Sequence, residues 1–252
     1  MRLNKQPPEK RDMRDDGTLD VHSIFSTIQG EGPFCGHASV FVRLAGCNVQ
    51  CPGCDTLYTN GRTRYYVEDI VKLVNSERIK DGNNCDLVVI TGGEPFRQKL
   101  DDLIMELTEN DFRVQIETNG TLPVPDVLKQ YIPIGEYGAF EPAFNNSRVT
   151  VVCSPKGPKI HESIAQRADC FKYVMQADSI REEDGLPIEA LQRSIKPYLA
   201  RPPVGYDKPI YLQPMDEQDP VKNERNIKAV LGSCKKHNYI LQLQIHKYLG
   251  VE

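Results

Sequence analysis

The sequence predicts an α/β fold, a parallel sheet faced by helices. Three features predict it. Short apolar runs alternate with stretches of helical apolar spacing, the runs lead repeatedly into loops of glycine, cysteine and polar residues, and no internal repeat or low-complexity tract breaks the alternation. In such a fold, chemistry gathers beyond the carboxyl ends of the strands.

Residues 1–20 mix acidic and basic side chains with Pro7, Pro8 and Gly17 and show no apolar period, so they read as a flexible, loosely docked extension. Ordered sequence is expected from VHSIFSTI, 21–28. A strand at FVRL, 41–44, then runs straight into GCNVQCPGCDT. Over 67–80, Val67, Ile70, Val71 and Val74 share one helical face. DLVVI, 86–90, is too short and apolar for a surface helix and reads as a buried strand, with TGGEP following at once. Leu100, Leu103, Ile104 and Leu107 return to helical spacing, and FRVQIE, 112–117, is a strand that enters TNG. Further strands are expected at 149–153, 171–175, 210–213 and 239–244, with helices at 187–196 and about 221–237. Pro187 suits a first helical turn, and Pro197 suits an end near Lys196. Residues 131–148 have no clean period and read as an insertion into the repeating core.

Length and composition bound the function. The 252 residues amount to less than two domains of about 150, so one catalytic domain over 21–252 is expected. Hydrophobic residues are 39% and charged residues 26%, enough for a core with a solvated surface. With 31 Lys and Arg against 35 Asp and Glu, the net charge is -4. That balance gives no general attraction to nucleic acid or to an anionic membrane, and direct binding of either is not expected. No apolar run reaches the roughly 18 residues that cross a bilayer, and the first residues lack the apolar centre of a secretory signal. A cytoplasmic protein is the default. Eight cysteines are too dilute for a disulfide scaffold.

Their placement says more than their number. Cys47, Cys51 and Cys54 put three soft thiolates on one compact loop. A cubic iron–sulfur cluster with one iron left open suits that set, and so does a zinc ion completed by a distant residue, since no fourth Cys or His is close in sequence. In the second loop, Thr91-Gly92-Gly93-Glu94-Pro95, the glycines allow close backbone approach and Glu94 can accept hydrogen bonds from an amino group. It is not the Gly-x-Gly-x-x-Gly pattern of dinucleotide binding, which disfavours hydride transfer.

CNVQCPGC resembles the cluster motif of radical S-adenosylmethionine enzymes. In that superfamily the open iron binds the amino and carboxylate groups of S-adenosylmethionine, and one-electron reduction releases a 5'-deoxyadenosyl radical. TGGEP resembles the superfamily's loop for the cofactor's amino group. An aromatic residue often precedes the third cysteine there, whereas this chain has Gly53. A narrower set of landmarks is similar to the 7-carboxy-7-deazaguanine synthase family: QGEG at 29–32, FVRLAGC, CDT at 54–56, ETNGT at 117–121, CSPK at 153–156 and LQIHKYLG at 243–250. Together they span almost the whole ordered chain.

The resemblance implies a partial or modified (β/α)6 TIM-like barrel with a radical S-adenosylmethionine core. It implies ring contraction of 6-carboxy-5,6,7,8-tetrahydropterin to 7-carboxy-7-deazaguanine with loss of ammonia, in queuosine or related deazapurine biosynthesis. Cys47, Cys51 and Cys54 would hold a [4Fe-4S] cluster. S-adenosyl-L-methionine would lie against Gly92, Gly93, Glu94, Glu117, Asn119, Ser154, Lys156 and Gln213. The small-molecule pterin would meet Gln29, Glu31, Arg43, Thr91 and His246, and His246 is also the candidate for assisting nitrogen departure. Asp55 and Thr56 offer hard oxygen donors to Mg2+. A homodimer and a flavodoxin or ferredoxin-like electron donor are the implied partners. Two rival readings use part of the same sequence. A radical activase shares the cysteines but acts on a protein partner, and a zinc-binding interaction module would use 131–148 as its contact loop.

Overall fold

The computed structural model describes residues 3–82, 84–129 and 148–251, so the expected insertion at 131–148 lies, except for Arg148, outside the described residues. Nine strands form one sheet: β1 (Thr18–Ile28), β2 (Ala38–Leu44), β3 (Thr63–Tyr66), β4 (Leu87–Gly92), β5 (Arg113–Thr118), β6 (Val149–Cys153), β7 (Cys170–Met175), β8 (Ile210–Pro214) and β9 (Ile240–Leu241). The helices are α1 (Val67–Ile79), α2 (Asp101–Glu109), α3 (Asp126–Lys129), α4 (Glu162–Arg167), α5 (Pro220–His237) and α6 (Ile245–Leu249).

The sheet order is β3-β1-β2-β4-β5-β6-β7-β8-β9. From β2 through β9 every pairing is parallel, while β1 lies antiparallel to both β2 and β3. The expected parallel sheet is therefore a mixed one, because an antiparallel hairpin closes one edge. The architecture is the partial TIM-like barrel expected from the sequence resemblance, with an antiparallel edge added.

Side-chain alternation divides the sheet into two faces. Val40, Val42 and Leu44 of β2, Val88 and Ile90 of β4, Val114 and Ile116 of β5, and Phe171, Tyr173 and Met175 of β7 join one buried apolar cluster. The apolar spacing of the covering helices matches this: Ile70, Val71 and Val74 of α1 and Leu103, Ile104 and Leu107 of α2 enter the same cluster. Each such side chain contributes roughly 1.5–3 kcal/mol by leaving water. The opposite face presents Phe41, Arg43, Thr91, Glu117, Lys172 and Gln213 to a cavity. One face holds the fold together and the other is left for chemistry.

Helix α5 has the terminal signals its sequence carries. Asp219 accepts hydrogen bonds from the amides of Val221 and Lys222 (3.0 and 3.2 Å), Pro220 opens the first turn, and Asn238 ends the helix in a left-handed conformation. Among the described residues, no helix is long and apolar enough to cross a membrane.

Three expectations are corrected. The segment 187–196 is not a helix: Leu191 and Gln192 have φ of 48° and 61°, and Ala190 and Arg193 pair across a tight turn. Tertiary contacts take over its polar groups, since the Leu191 carbonyl accepts from the Gly53 amide (2.9 Å) and Arg193 Nη1 donates to the Lys156 carbonyl (2.6 Å). The strand expected over 239–244 shrinks to Ile240–Leu241. Lastly, β1 begins at Thr18, and the residues before it are tied down rather than loosely docked. The Asn4 amide donates to the Pro52 carbonyl (2.9 Å), that of Glu9 to Cys47 (2.7 Å) and that of Asp12 to Arg97 (2.7 Å). Low apolar content concealed this, because the arm is held by backbone hydrogen bonds and not by a buried face.

Candidate active site

A cavity of about 1460 Å3 opens beyond the carboxyl ends of the parallel strands. At the end of β2 the chain leaves the sheet through Ala45 and Gly46, and the next turn carries Cys47, Cys51 and Cys54. All three are free thiols that line this cavity, and Cys47 feels the charges of both others. Burial pushes Cys47 up to about 12 and Cys54 up to about 11, and it raises Cys51 as well. Thiols so placed keep their protons until a soft cation replaces them. Lys156 and Arg193 bring positive charge to Cys51. Two buried thiols and one half-buried one, with cations beside Cys51, are the soft donor set an iron–sulfur cluster takes, although among the described residues no three such side chains are drawn together tightly enough to grip a metal ion as they stand.

Gly93 is where the second loop touches the first. A Cβ there would overlap the Gly46 carbonyl and approach Cys47 Cβ at 2.8 Å, and the Glu94 amide donates to that same Gly46 carbonyl (3.0 Å). At Gly92 φ is +126°, and a Cβ would overlap the Leu44 backbone. Both glycines line the cavity. Glu94 does not. Its carboxylate is fully buried and accepts from the Asn119 amide (2.6 Å), Thr118 Oγ1 (2.7 Å) and the Phe96 amide (3.0 Å). Burial pushes Glu94 up to about 7 against these hydrogen bonds. Its oxygens brace the β4 loop to the β5 loop, beside the glycine backbone that faces the cavity.

Asn119 lines the cavity with its side-chain amide already engaged by Asn48 (2.8 Å) and Thr121 (2.9 Å). Asn48 lies between two of the cysteines and escapes sequence reading, although its position inside the motif is a usable signal. Ser154 and Lys156 sit together at the end of β6, with Lys156 Nζ donating to Ser154 Oγ (2.6 Å) and its carbonyl (2.9 Å). Burial lowers the Lys156 ammonium. Arg43 lies over the Phe25 ring, 5.0 Å from its centroid, on the cavity side of β2.

Glu31 is the centre of a second cluster. It forms an ion pair with Lys172 and accepts from Gln244 Nε2 (2.6 Å) and Gln213 Nε2 (3.3 Å). Burial alone would raise Glu31, yet the Lys172 charge and these hydrogen bonds hold it down at about 2. Glu117 stands 3.9 Å from Lys172 and accepts from Gln115 Nε2 (3.0 Å), Gln29 Nε2 (3.3 Å) and Thr91 Oγ1 (3.3 Å). Glu117 and Gln213, expected beside the cofactor, are thus hydrogen-bonded to residues expected beside the substrate: Glu117 to Gln29 and Thr91, and Gln213 to Glu31. Lys172 is the residue that sequence reading missed. A lone lysine in the apolar strand FKYVM, with Phe171, Tyr173 and Met175 in the core, was its signal.

His246 at the start of α6 packs on Gly30, where a Cβ would overlap its ring, and both line the cavity. Asp55 and Thr56 also line it. Thr56 Oγ1 lies 3.4 Å from Asp55 Oδ1, and Asp55 Oδ2 is 3.7 Å from Lys247 Nζ. Two hard oxygen donors suit a magnesium ion that takes its other ligands from water or substrate. At Gly53 a Cβ would lie 2.7 Å from Met215 Cε and 3.1 Å from the Leu191 carbonyl, so a larger side chain there must displace the Met215 methyl and press on the turn at Leu191.

Comparison with known proteins agrees with this geometry. A family model described as the radical SAM superfamily matches residues 42–146. The 7-carboxy-7-deazaguanine synthase of Rhodospirillum rubrum is 35% identical over 255 residues, covering 99% of each chain. That of Rickettsia prowazekii is 35% identical over 259 residues, covering 97% of this chain and 94% of its own. The crystal structure of QueE from Escherichia coli superposes with a TM-score of 0.62 at 24% identity, over 90% of this chain and 93% of that one, a likeness of fold.

Proposed function

The chain belongs to the 7-carboxy-7-deazaguanine synthase family of the radical S-adenosylmethionine superfamily, and we propose that it contracts the ring of 6-carboxy-5,6,7,8-tetrahydropterin to give 7-carboxy-7-deazaguanine and ammonia. The observation that carries this reading is one cavity with two unlike walls. Three free thiols line one, and an ion-paired set of Glu31, Lys172 and Glu117 lines the other.

On this reading, Cys47, Cys51 and Cys54 hold the [4Fe-4S] cluster. When bound, the cluster and S-adenosyl-L-methionine supply a carbon radical that removes one hydrogen from the substrate. Everything else is positioning and charge, which the chain provides. The backbone of Gly92 and Gly93 approaches the cofactor, with Asn119, Ser154 and Lys156 beside it. Arg43 offers two parallel donors to the pterin carboxylate, and Gln29, Glu31, Glu117, Gln213 and Thr91 read the amide and amino edge of the ring. Lys172 Nζ keeps its proton between two carboxylates, which holds positive charge against the substrate. His246 hydrogen-bonds the heterocycle and, when protonated, assists the departing nitrogen. Asp55 and Thr56 hold Mg2+, a homodimer completes the assembly, and a flavodoxin or ferredoxin-like protein delivers the electron.

Anaerobic reconstitution with iron and sulfide, followed by incubation with S-adenosylmethionine, reductant, Mg2+ and the pterin, tests this. Mass spectrometry should find 7-carboxy-7-deazaguanine together with 5'-deoxyadenosine, and Cys51→Ala should abolish both. A loaded enzyme that forms neither, or a protein that fills with zinc and takes up no cluster, overturns the reading.

A further inference from the structure

The proposed reaction needs one electron per initiation, and the N-terminal arm packs against the loop that would hold the cluster. Residues 3–14 lie across the outside of the cysteine loop. Their closest approach to a cluster ligand is the hydrogen bond from the Glu9 amide to the Cys47 carbonyl (2.7 Å). Asn4 Nδ2 donates to the Cys51 carbonyl (3.2 Å), and Gln6 Nε2 donates to that of Thr56 (2.9 Å). The arm is one hydrogen bond from two of the three cysteines.

Its outer surface is cationic and partly apolar. Lys5, Lys10, Arg11 and Arg14 stand against Glu9 and Asp12. Both carboxylates are already occupied, Glu9 by Arg62 (3.0 Å) and Asp12 by Arg14 (2.6 Å). Lys5, Lys10 and Arg11 are exposed and have no ion pair among the described residues. Asp126, the acidic neighbour that feels Arg11, is itself paired with Lys129 (2.6 Å). Leu3, Met13 and Leu57, on the arm or the cysteine loop, are 59%, 47% and 48% exposed, and Leu3, Lys5 and Leu57 also line the cavity. A chain of net charge -4 thus carries three exposed cations, unpaired among the described residues, and exposed apolar side chains on an arm hydrogen-bonded to the cysteine loop, with Asp15, paired to Lys99, and Asp16 following it.

We propose that residues 3–14, with Leu57, form the docking surface for an acidic one-electron carrier protein. This rests on the radical reading above. In the encounter one electron passes from the reduced carrier to the oxidised cluster; the carrier is oxidised, the cluster is reduced, and no bond is made or broken. Opposite charge steers the approach, and the exposed apolar side chains give a small, short-lived contact of the kind redox partners use. Nucleic acid is the poorer occupant, because residues 3–14 contain no aromatic side chain on which a base stacks.

The test uses the full chain with its cluster and reduced flavodoxin, an acidic carrier, as the probe. Charge reversal by Lys10→Glu with Arg11→Glu removes two exposed cations that touch neither cluster nor cavity. It should raise KM for flavodoxin about tenfold or more and flatten its salt dependence. Turnover driven by dithionite should be unchanged. Lys10→Gln with Arg11→Gln should give an intermediate shift and serves if the reversed protein does not fold. An unchanged KM and salt slope overturn the proposal. So does an equal loss from the remote reversal Lys228→Glu with Lys235→Glu, which would mean only net charge matters. Flavodoxin reoxidation, followed by absorbance, reads docking separately from product formation, so failure of the ring-contraction reading would show as electron transfer without product.

Discussion

Lys172 and Glu31 show what a single buried pair does in this site. Glu31 is held at about 2 against an ordinary 4.5, with Lys172 as the principal charge that offsets its burial. A carboxylate lowered in the folded state contributes stability that is present above 4.5 and is lost as the pH falls through about 2. Lys172 is raised by the same partners after burial has opposed it, so its contribution is complete at neutral pH. Lys172→Met leaves a charge buried without its counterpart, which costs about 3–5 kcal/mol at pH 7. Denaturant unfolding should show that deficit shrinking toward pH 3, where Glu31 in the variant is protonated. A deficit of equal size at both values would mean the loss is one of packing. The cysteines were legible in the sequence because three of one rare type fall within eight positions, and no such crowding marked Lys172. Likewise, Glu94 was legible as part of a loop but its partners were not, since nothing in TGGEP tells that the carboxylate meets Thr118, Asn119 and Phe96.

Among elements, those whose period is fixed by one apolar face were readable, and those fixed by distant partners were not. Strands β4 to β8 and helices α1, α2 and α5 carry their own pattern. The turns at 187–196 do not: Ile188, Leu191 and Ile195 imitate a helical face, while the Leu191 carbonyl accepts from Gly53 and the Arg193 side chain donates to the Lys156 carbonyl instead. Cofactor loops pose the same problem in miniature, and glycine substitution separates the two cases. Gly93→Ala forces a Cβ into the Gly46 carbonyl, so the β4 loop must withdraw from the cysteine loop. We expect a stability loss of about 1–3 kcal/mol, as for other overpacked sites, and poor retention of iron, read by unfolding and by iron content. Gly232→Ala lies within α5 with nothing inside 4 Å of its added carbon. It should stabilise by roughly 0.5–1 kcal/mol and raise the melting temperature. A Gly93→Ala protein with full iron content and wild-type stability would contradict the backbone contact described here.

For the molecule as a whole, the α/β class and the catalytic end of the sheet were legible because alternation and loop chemistry are local. The antiparallel edge was not, because pairing partners are chosen by the assembled sheet. Neither was the docked arm, whose hold is polar. Removing residues 1–8 strips Asn4 and Gln6 from the carbonyls of Cys51, Pro52 and Thr56 and from the amides of Tyr58 and Thr59. Each lost hydrogen bond is worth about 1 kcal/mol, so the truncated protein should melt roughly 10 °C lower or more and bleach in air severalfold faster, followed by thermal unfolding and absorbance decay. Bleaching at the full-length rate would show that the arm does not steady the cysteine loop. Gly53 carries a longer consequence. Its missing side chain is filled by the Met215 methyl and by the backbone at Leu191, so three places far apart in the chain are packed as one. Any larger residue at 53 must push the Met215 methyl aside and press on the turn at 191, so a shorter residue at 215 should ease the cost of such a change.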